Sequence, residues 1–147
     1  MTPSSSREMG VEKLAGTTAE LLVATELLRH GFGASIPVGD TEGYDLISDS
    51  GGKLLRIQVK SSSVKTPKGV YRVGFVKGNK KRLYTTQDAD MFVAVLSYNS
   101  GPAFYVIPLG RVKQHGAFWA PGEHPLPQPK WRVCKYEEFR DRWDLLR

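Results

Sequence analysis

Cysteine is almost missing from this chain. Cys134 stands alone, so no intrachain disulfide can form, and the single thiol fits a reducing compartment. The cytoplasm is the expected location. The three histidines, His30, His115 and His124, are scattered. No His/Cys spacing matches a zinc site, and surface or structural roles are expected for them. No apolar run approaches the ~20 residues that a membrane span needs, so no membrane partner is expected. The stretch Met1 to Ser6 is polar and lacks a signal-peptide pattern. Gly51-Gly52 has no Lys-Ser/Thr partner and makes no phosphate loop. No Gly-x-Ser-x-Gly elbow is present for an α/β-hydrolase nucleophile.

Acid is also missing from one long segment. Residues 61–85 hold Lys65, Lys68, Arg72, Lys77, Lys80, Lys81 and Arg82 with no Asp or Glu. The flanking regions are close to balanced, so this block carries the net charge of +6. A block of one sign on one surface attracts a polyanion and releases its counterions, although lysines on a solvated loop serve solubility too. Lys65, Lys68, Lys80, Lys81 and Arg82 are the preferred phosphate-contact candidates, with Arg72 and Lys77 added if their strand faces the nucleic acid.

At 147 residues the chain suits a single domain spanning 1–147. Residues 1–8 read as disordered. Gly16 to His30 reads as a helix that Gly31 stops. Phe32–Val38 reads as a short extended or loop segment. Tyr44–Ser48 and Lys53–Ser61 read as strands joined at Asp49-Ser50-Gly51-Gly52. Further strands are expected at Val70–Val76, Met91–Ser97 and Ala103–Ile107. The run Phe92 to Leu96 is apolar enough for a strand covered on both faces. Gly78–Asp90 reads as a short helix or loop, Gly116–Pro129 as irregular, and Lys135–Leu146 as a closing helix. The fold class is α/β or α+β, with a mixed sheet flanked by helices.

Chemistry gathers in the first half. On a helical projection Glu20 falls about 40° from Gly16, inside an arc with Val23, Ala24, Leu27, Leu28 and Leu21. Such a carboxylate points inward, toward a metal, or toward a Lys or backbone group at the core edge. Gly16, one turn earlier, is expected to let the helix approach the sheet closely. Arg56, Gln58 and Lys60 share one strand face, opposite Leu55, Ile57 and Val59; that face is either a site or the solvent side. Asp45 begins the preceding strand, as a ligand or a turn residue. Asp88 and Asp90 suit capping, and Tyr71, Tyr84 and Tyr98 suit either base contacts or packing. Trp119 and Trp131 flank the Pro-rich segment, whose role the sequence does not decide.

Taken together, Glu20, Gly43-Tyr44-Asp45 and Gln58-Val59-Lys60 resemble the PD-(D/E)XK nuclease superfamily over Gly16–Ser62. The helix Glu is similar to the Holliday-junction-resolvase-like branch. The Gln-Val-Lys form, with Gly39-Asp40, is similar to the group I intron homing endonucleases. The resemblance implies a restriction-endonuclease-like core and Mg²⁺-dependent cleavage of duplex or branched DNA, with Mn²⁺ substituting. Asp45 would be the main metal ligand, joined by Glu20, the Val59 carbonyl and Gln58. Lys60 would orient or help deprotonate the attacking water. Cutting two strands with one site per chain suggests a homodimer or higher oligomer. Gln58 departs from the usual Asp or Glu and brings no charge. Either Glu20 supplies the missing carboxylate, or the protein binds nucleic acid without cutting it.

Overall fold

The structure is a computed structural model that describes residues 5–39, 43–62, 69–77, 82–113, 116–124, 127 and 133–147, with backbone only for 5–9. Among these residues one α-helix, α1 (Ser5–Arg29), is followed by nine strands: β1 (Gly33–Ser35), β2 (Leu46–Ser50), β3 (Lys53–Ser62), β4 (Val70–Gly74), β5 (Val76–Lys77), β6 (Arg82–Leu83), β7 (Met91–Tyr98), β8 (Gly101–Pro108) and β9 (Ala117–Pro121). The main sheet has the order β1-β2-β3-β7-β8. It is mixed: β3 and β7 run parallel and the other neighbours antiparallel. The α+β class is as expected, with one α-helix among the described residues where several were expected. No helix among them is long and apolar enough to cross a membrane.

The helix is longer than its sequence signal. It begins at Ser5, so residues 5–8 are helical rather than disordered, while residues 1–4 lie outside the described set. Its end follows the glycine. Gly31 takes φ 83°, its N–H donates to the Leu28 carbonyl, and the Phe32 N–H donates to the Leu27 carbonyl. These two bonds satisfy carbonyls that a helix end leaves orphaned. Phe32 then packs with Leu27 in the core.

The β2–β3 hairpin turns through Gly51 (φ 60°) and Gly52 (φ 94°), a pair of left-handed residues that matches strand twist. The Asp49 carboxylate accepts the Gly52 N–H at 2.7 Å. Alternation then divides the sheet. Ile57, Val59, Met91, Val93, Val95, Phe104 and Val106 face α1, where they meet Ala19, Val23 and Leu27. Phe92, Ala94, Leu96, Tyr105 and Ile107 face the other way, onto Tyr71, Val73, Phe75, Phe118 and Ala120. Strand β7 is thus covered on both faces.

Three expectations are corrected. The span Gly116–Pro129 is not wholly irregular, because β9 pairs antiparallel with β4 and closes the second layer. Phe118 and Ala120 alternate into the core there. The strand expected at Val70–Val76 breaks at Phe75, which turns fully inside between β4 and β5. The closing helix is two 3₁₀ turns, Glu137–Phe139 and Trp143–Leu146, separated by Asp141 at φ 52°. Phe139 belongs to the core on one side of the sheet and Trp143 and Leu146 to the core on the other. A continuous helix cannot serve both faces, so the chain breaks as it rounds the β8 edge. Arg140 holds the break, donating to the Tyr98 and Tyr105 hydroxyls at 3.1 Å each.

Candidate active site

Strand β2 starts at Leu46, opposite Ile57, so its pairing stops short of the last residues of β3. Asp45 fills the first gap. Its N–H donates to the Ile57 carbonyl at 2.8 Å, and its carboxylate accepts the Val59 N–H at 2.8 Å. A side chain thereby continues the strand ladder and is fixed against β3. The glycine before it is dictated by space. Gly43 has φ 111°, and a Cβ there would lie 2.9–3.0 Å from Asp88. Nothing but glycine satisfies both demands.

Asp88 is buried and forms the base of this loop. It accepts the Thr85 N–H at 2.9 Å and the Arg82 guanidinium at 2.7 Å, with Lys77 at 3.9 Å. Burial pushes its carboxyl up, but those donors outweigh it and hold it below the ordinary range. Arg56 fastens the same turn. Its guanidinium bonds both Asp90 oxygens and the carbonyls of Thr86 and Gln87, and it lies 6.0 Å from the Tyr44 ring centroid. Of the three polar residues on that strand face, Arg56 is therefore a clamp. Asp88 and Asp90, expected to cap or terminate local structure, serve here as partners of Arg82, Lys77 and Arg56.

Glu20, Asp45, Gln58, Val59 and Lys60 line one cleft of ≈ 260 Å³, together with Glu12, Gly16, Ala19 and Ser61. Helix and hairpin meet there. Burial raises the Glu20 carboxyl, and the nearby Asp45 charge raises it further. Burial also raises Asp45, outweighing the opposing pull of the Val59 N–H and Lys60. The Asp45 charge opposes the ionisation of Glu20, and a cation held between the two carboxylates would relieve that cost. Gln58 is buried and donates its amide N–H to the Val59 carbonyl at 3.0 Å. Gly16 does not act as expected: a Cβ there meets nothing within 4 Å. It opens the cleft rather than admitting a close contact.

The basic block is only partly placed. Lys65, Lys68, Lys80 and Lys81 lie outside the described residues. Arg82 is committed to Asp88, although its side chain stays half exposed. Lys77 and Arg82 both pair with Asp88, which abuts Gly43. Tyr84, which the sequence offered for either base contacts or packing, packs beside the site. Its ring packs on Phe92, the register partner of Gln58. Burial, then the Asp45 and Asp88 charges, hold its hydroxyl above the ordinary tyrosine range.

A model of the PD-(D/E)XK endonuclease family matches residues 11–141. The chain belongs to that family. Its members generally use divalent metal ions. The solved structure of a bacterial homing endonuclease, I-Ssp6803I, is similar at 27% identity, with a TM-score of 0.69 over 91% of this chain and 89% of that one. No curated protein matches. For a PD-(D/E)XK endonuclease the donor set fits a hard cation: the Glu20 carboxylate from α1, the Asp45 carboxylate before β2, and an amide and a carbonyl from β3. Among the described residues no group of three or more His, Cys, Asp or Glu is placed to hold a metal ion, so Glu20 and Asp45 are the two carboxylates of this donor set.

Proposed function

We propose that the protein is a Mg²⁺-dependent endodeoxyribonuclease of homing or branched-DNA type, acting as a homodimer or higher oligomer. The observation that carries this reading is the meeting of Glu20 and Asp45, from separate elements, in one cleft with Gln58 and Lys60. Asp45 would hold the metal through the oxygen not given to Val59, and Glu20 would bind it directly or through water. The Val59 carbonyl has a second lone pair beside the Gln58 bond, and the Gln58 amide oxygen is a further neutral donor. A divalent cation held there supplies positive charge to the crowded phosphate and lowers the pKa of a bound water.

The chain's own groups do the rest. Lys60 stands at the cleft to orient the attacking water and to stabilise charge building on phosphate oxygens. Lys65, Lys68, Lys80, Lys81 and Arg82, joined by Lys77, would position the DNA backbone without reading its sequence. The test is plasmid cleavage with Mg²⁺ or Mn²⁺ by the wild type, Asp45→Ala and Lys60→Ala. Loss in both variants is expected, and equal cleavage by all three rejects the assigned site. The second reading is a non-cutting nucleic-acid-binding protein, favoured by the Gln58 N–H pointing at the carbonyl a metal would use. Calorimetry separates the two, since a dead site has little reason to take up Mg²⁺.

A further inference from the structure

The cleft that holds Glu20 and Asp45 continues along α1. A second depression of ≈ 170 Å³ adjoins it, and the two share Ala19 and Ser61. One wall is a face of the helix. The helical projection puts Leu21 and Leu28 in the arc of Glu20, but both face outward, 52% and 63% exposed. Toward the depression α1 presents Ala15, Thr18, Ala19 and Leu22, at helical spacing. The first three are small and leave the space open.

The opposite wall is the end of the sheet. On the α1 side of β3 and β7, Ile57, Val59, Met91, Val93 and Val95 are apolar and buried. The same alternation carries Ser61 and Ser97 to that side, and both line the depression. Both are exposed, and among the described residues neither hydroxyl has a hydrogen-bond partner. Ser97 is held in place through its carbonyl, which accepts the Tyr71 hydroxyl at 3.0 Å. Thr18 donates its hydroxyl to the Leu14 carbonyl at 2.8 Å, so the two serines are the donors left to the depression.

We propose that this depression is a sugar subsite, which takes one of the two deoxyriboses bonded to the phosphate that is cut. The inference rests on the nuclease reading, which seats that phosphate beside Asp45 and Lys60. Among the described residues no lining group is charged, so nothing there would hold a phosphate. None is aromatic either, so nothing would stack on a base. A deoxyribose matches what is present. Its C–H face packs on Ala15, Leu22 and Val95, and its oxygens accept from Ser61 and Ser97. It is also the group one bond from the phosphate, as the depression is the space next to the cleft. Contacts to this unreactive group would then position the phosphate at Asp45 and Lys60.

Ala15 is exposed on the helix, so Ala15→Leu fills the depression while keeping a strong helix former. Steady-state cleavage of plasmid DNA with Mg²⁺ tests it. A kcat/KM about tenfold lower is expected for Ala15→Leu and for the Ser61→Ala, Ser97→Ala double variant, the scale of losing two hydrogen bonds. Melting temperature and Mg²⁺ calorimetry should match the wild type in both. A short duplex built around the mapped cut identifies the occupant. A 2′-O-methyl group on one sugar flanking the cut should slow the wild type, yet slow Ala15→Leu no further, because the two changes act on one space. No slowing of the wild type, or equal slowing of the variant, overturns the sugar as occupant. A wild type that cuts, with kcat/KM unchanged in Ala15→Leu, overturns the subsite alone. A wild type that cuts no DNA overturns the nuclease reading and the subsite together.

Discussion

At the scale of single residues, Asp45 does two jobs that pull against each other. Its carboxylate fixes the edge of β3 through Val59, and its partial burial raises its own proton affinity while its charge raises that of Glu20. Replacement by Asn keeps an acceptor for Val59 and removes the charge. Cleavage is expected to fall by on the order of 100-fold or more, the scale of losing one well-placed electrostatic group. The metal-free protein should become more stable at neutral pH, by on the order of 1 kcal/mol, as relief of a functional site commonly gives. Plasmid assays and thermal melts in chelator read the two effects separately. Gln58→Glu makes the opposite change. A third carboxylate should tighten Mg²⁺ binding in calorimetry and lower the melting temperature of the metal-free protein. Asp45 and Lys60 were legible in sequence because motif order and strand alternation put them there. The clamp role of Arg56 was not, since its partners lie some thirty residues away in a polar stretch without periodicity.

At the scale of elements, the site is hung on one close contact and one clamp. Gly43→Ala forces a Cβ against the Asp88 backbone at a positive φ, and a loss of about 2 kcal/mol or more is expected. Because Gly43 sits two residues before Asp45, activity should fall further than stability alone explains. Denaturation midpoints and the Mg²⁺ dependence of cleavage check this. Arg56→Ala leaves Asp90 without its ion pair and two carbonyls without a donor; about 2 kcal/mol is expected. Local signals had shown the glycine stop after α1, the hairpin and the two-sided burial of β7. They failed where tertiary packing decides. β9 hides among prolines and glycines because only pairing with β4 gives it a ladder. The closing segment has helical spacing, yet its apolar residues belong to two different cores. Gly16 read as a contact glycine and proved to face the cleft.

For the whole molecule, two sets of carboxylates set opposite pH limits. Burial raises Asp88 and Asp90, but Thr85, Arg82 and Lys77 for the first and Arg56 for the second hold both below the ordinary range. Their stabilisation is present above the unfolded pKa of about 4 and is lost as pH falls through the lower folded values. Glu20 and Asp45 are raised. Their contribution is complete below that unfolded value and is lost as pH rises through the folded ones. Chelated protein should therefore melt highest in the mildly acidic range. Glu20→Gln should flatten the alkaline side and Asp90→Asn the acid side, and excess Mg²⁺ should mimic the former by binding the native state. The parallel pairing of β3 with β7 carries a consequence for assembly in time. Glu20, Asp45, Gln58 and Lys60 all precede Met91, so a chain emerging from the ribosome presents every reacting group before the strand that registers them. Closing that long connection comes late. The nascent chain therefore holds the chemistry in pieces, and competence arrives only once β7 docks.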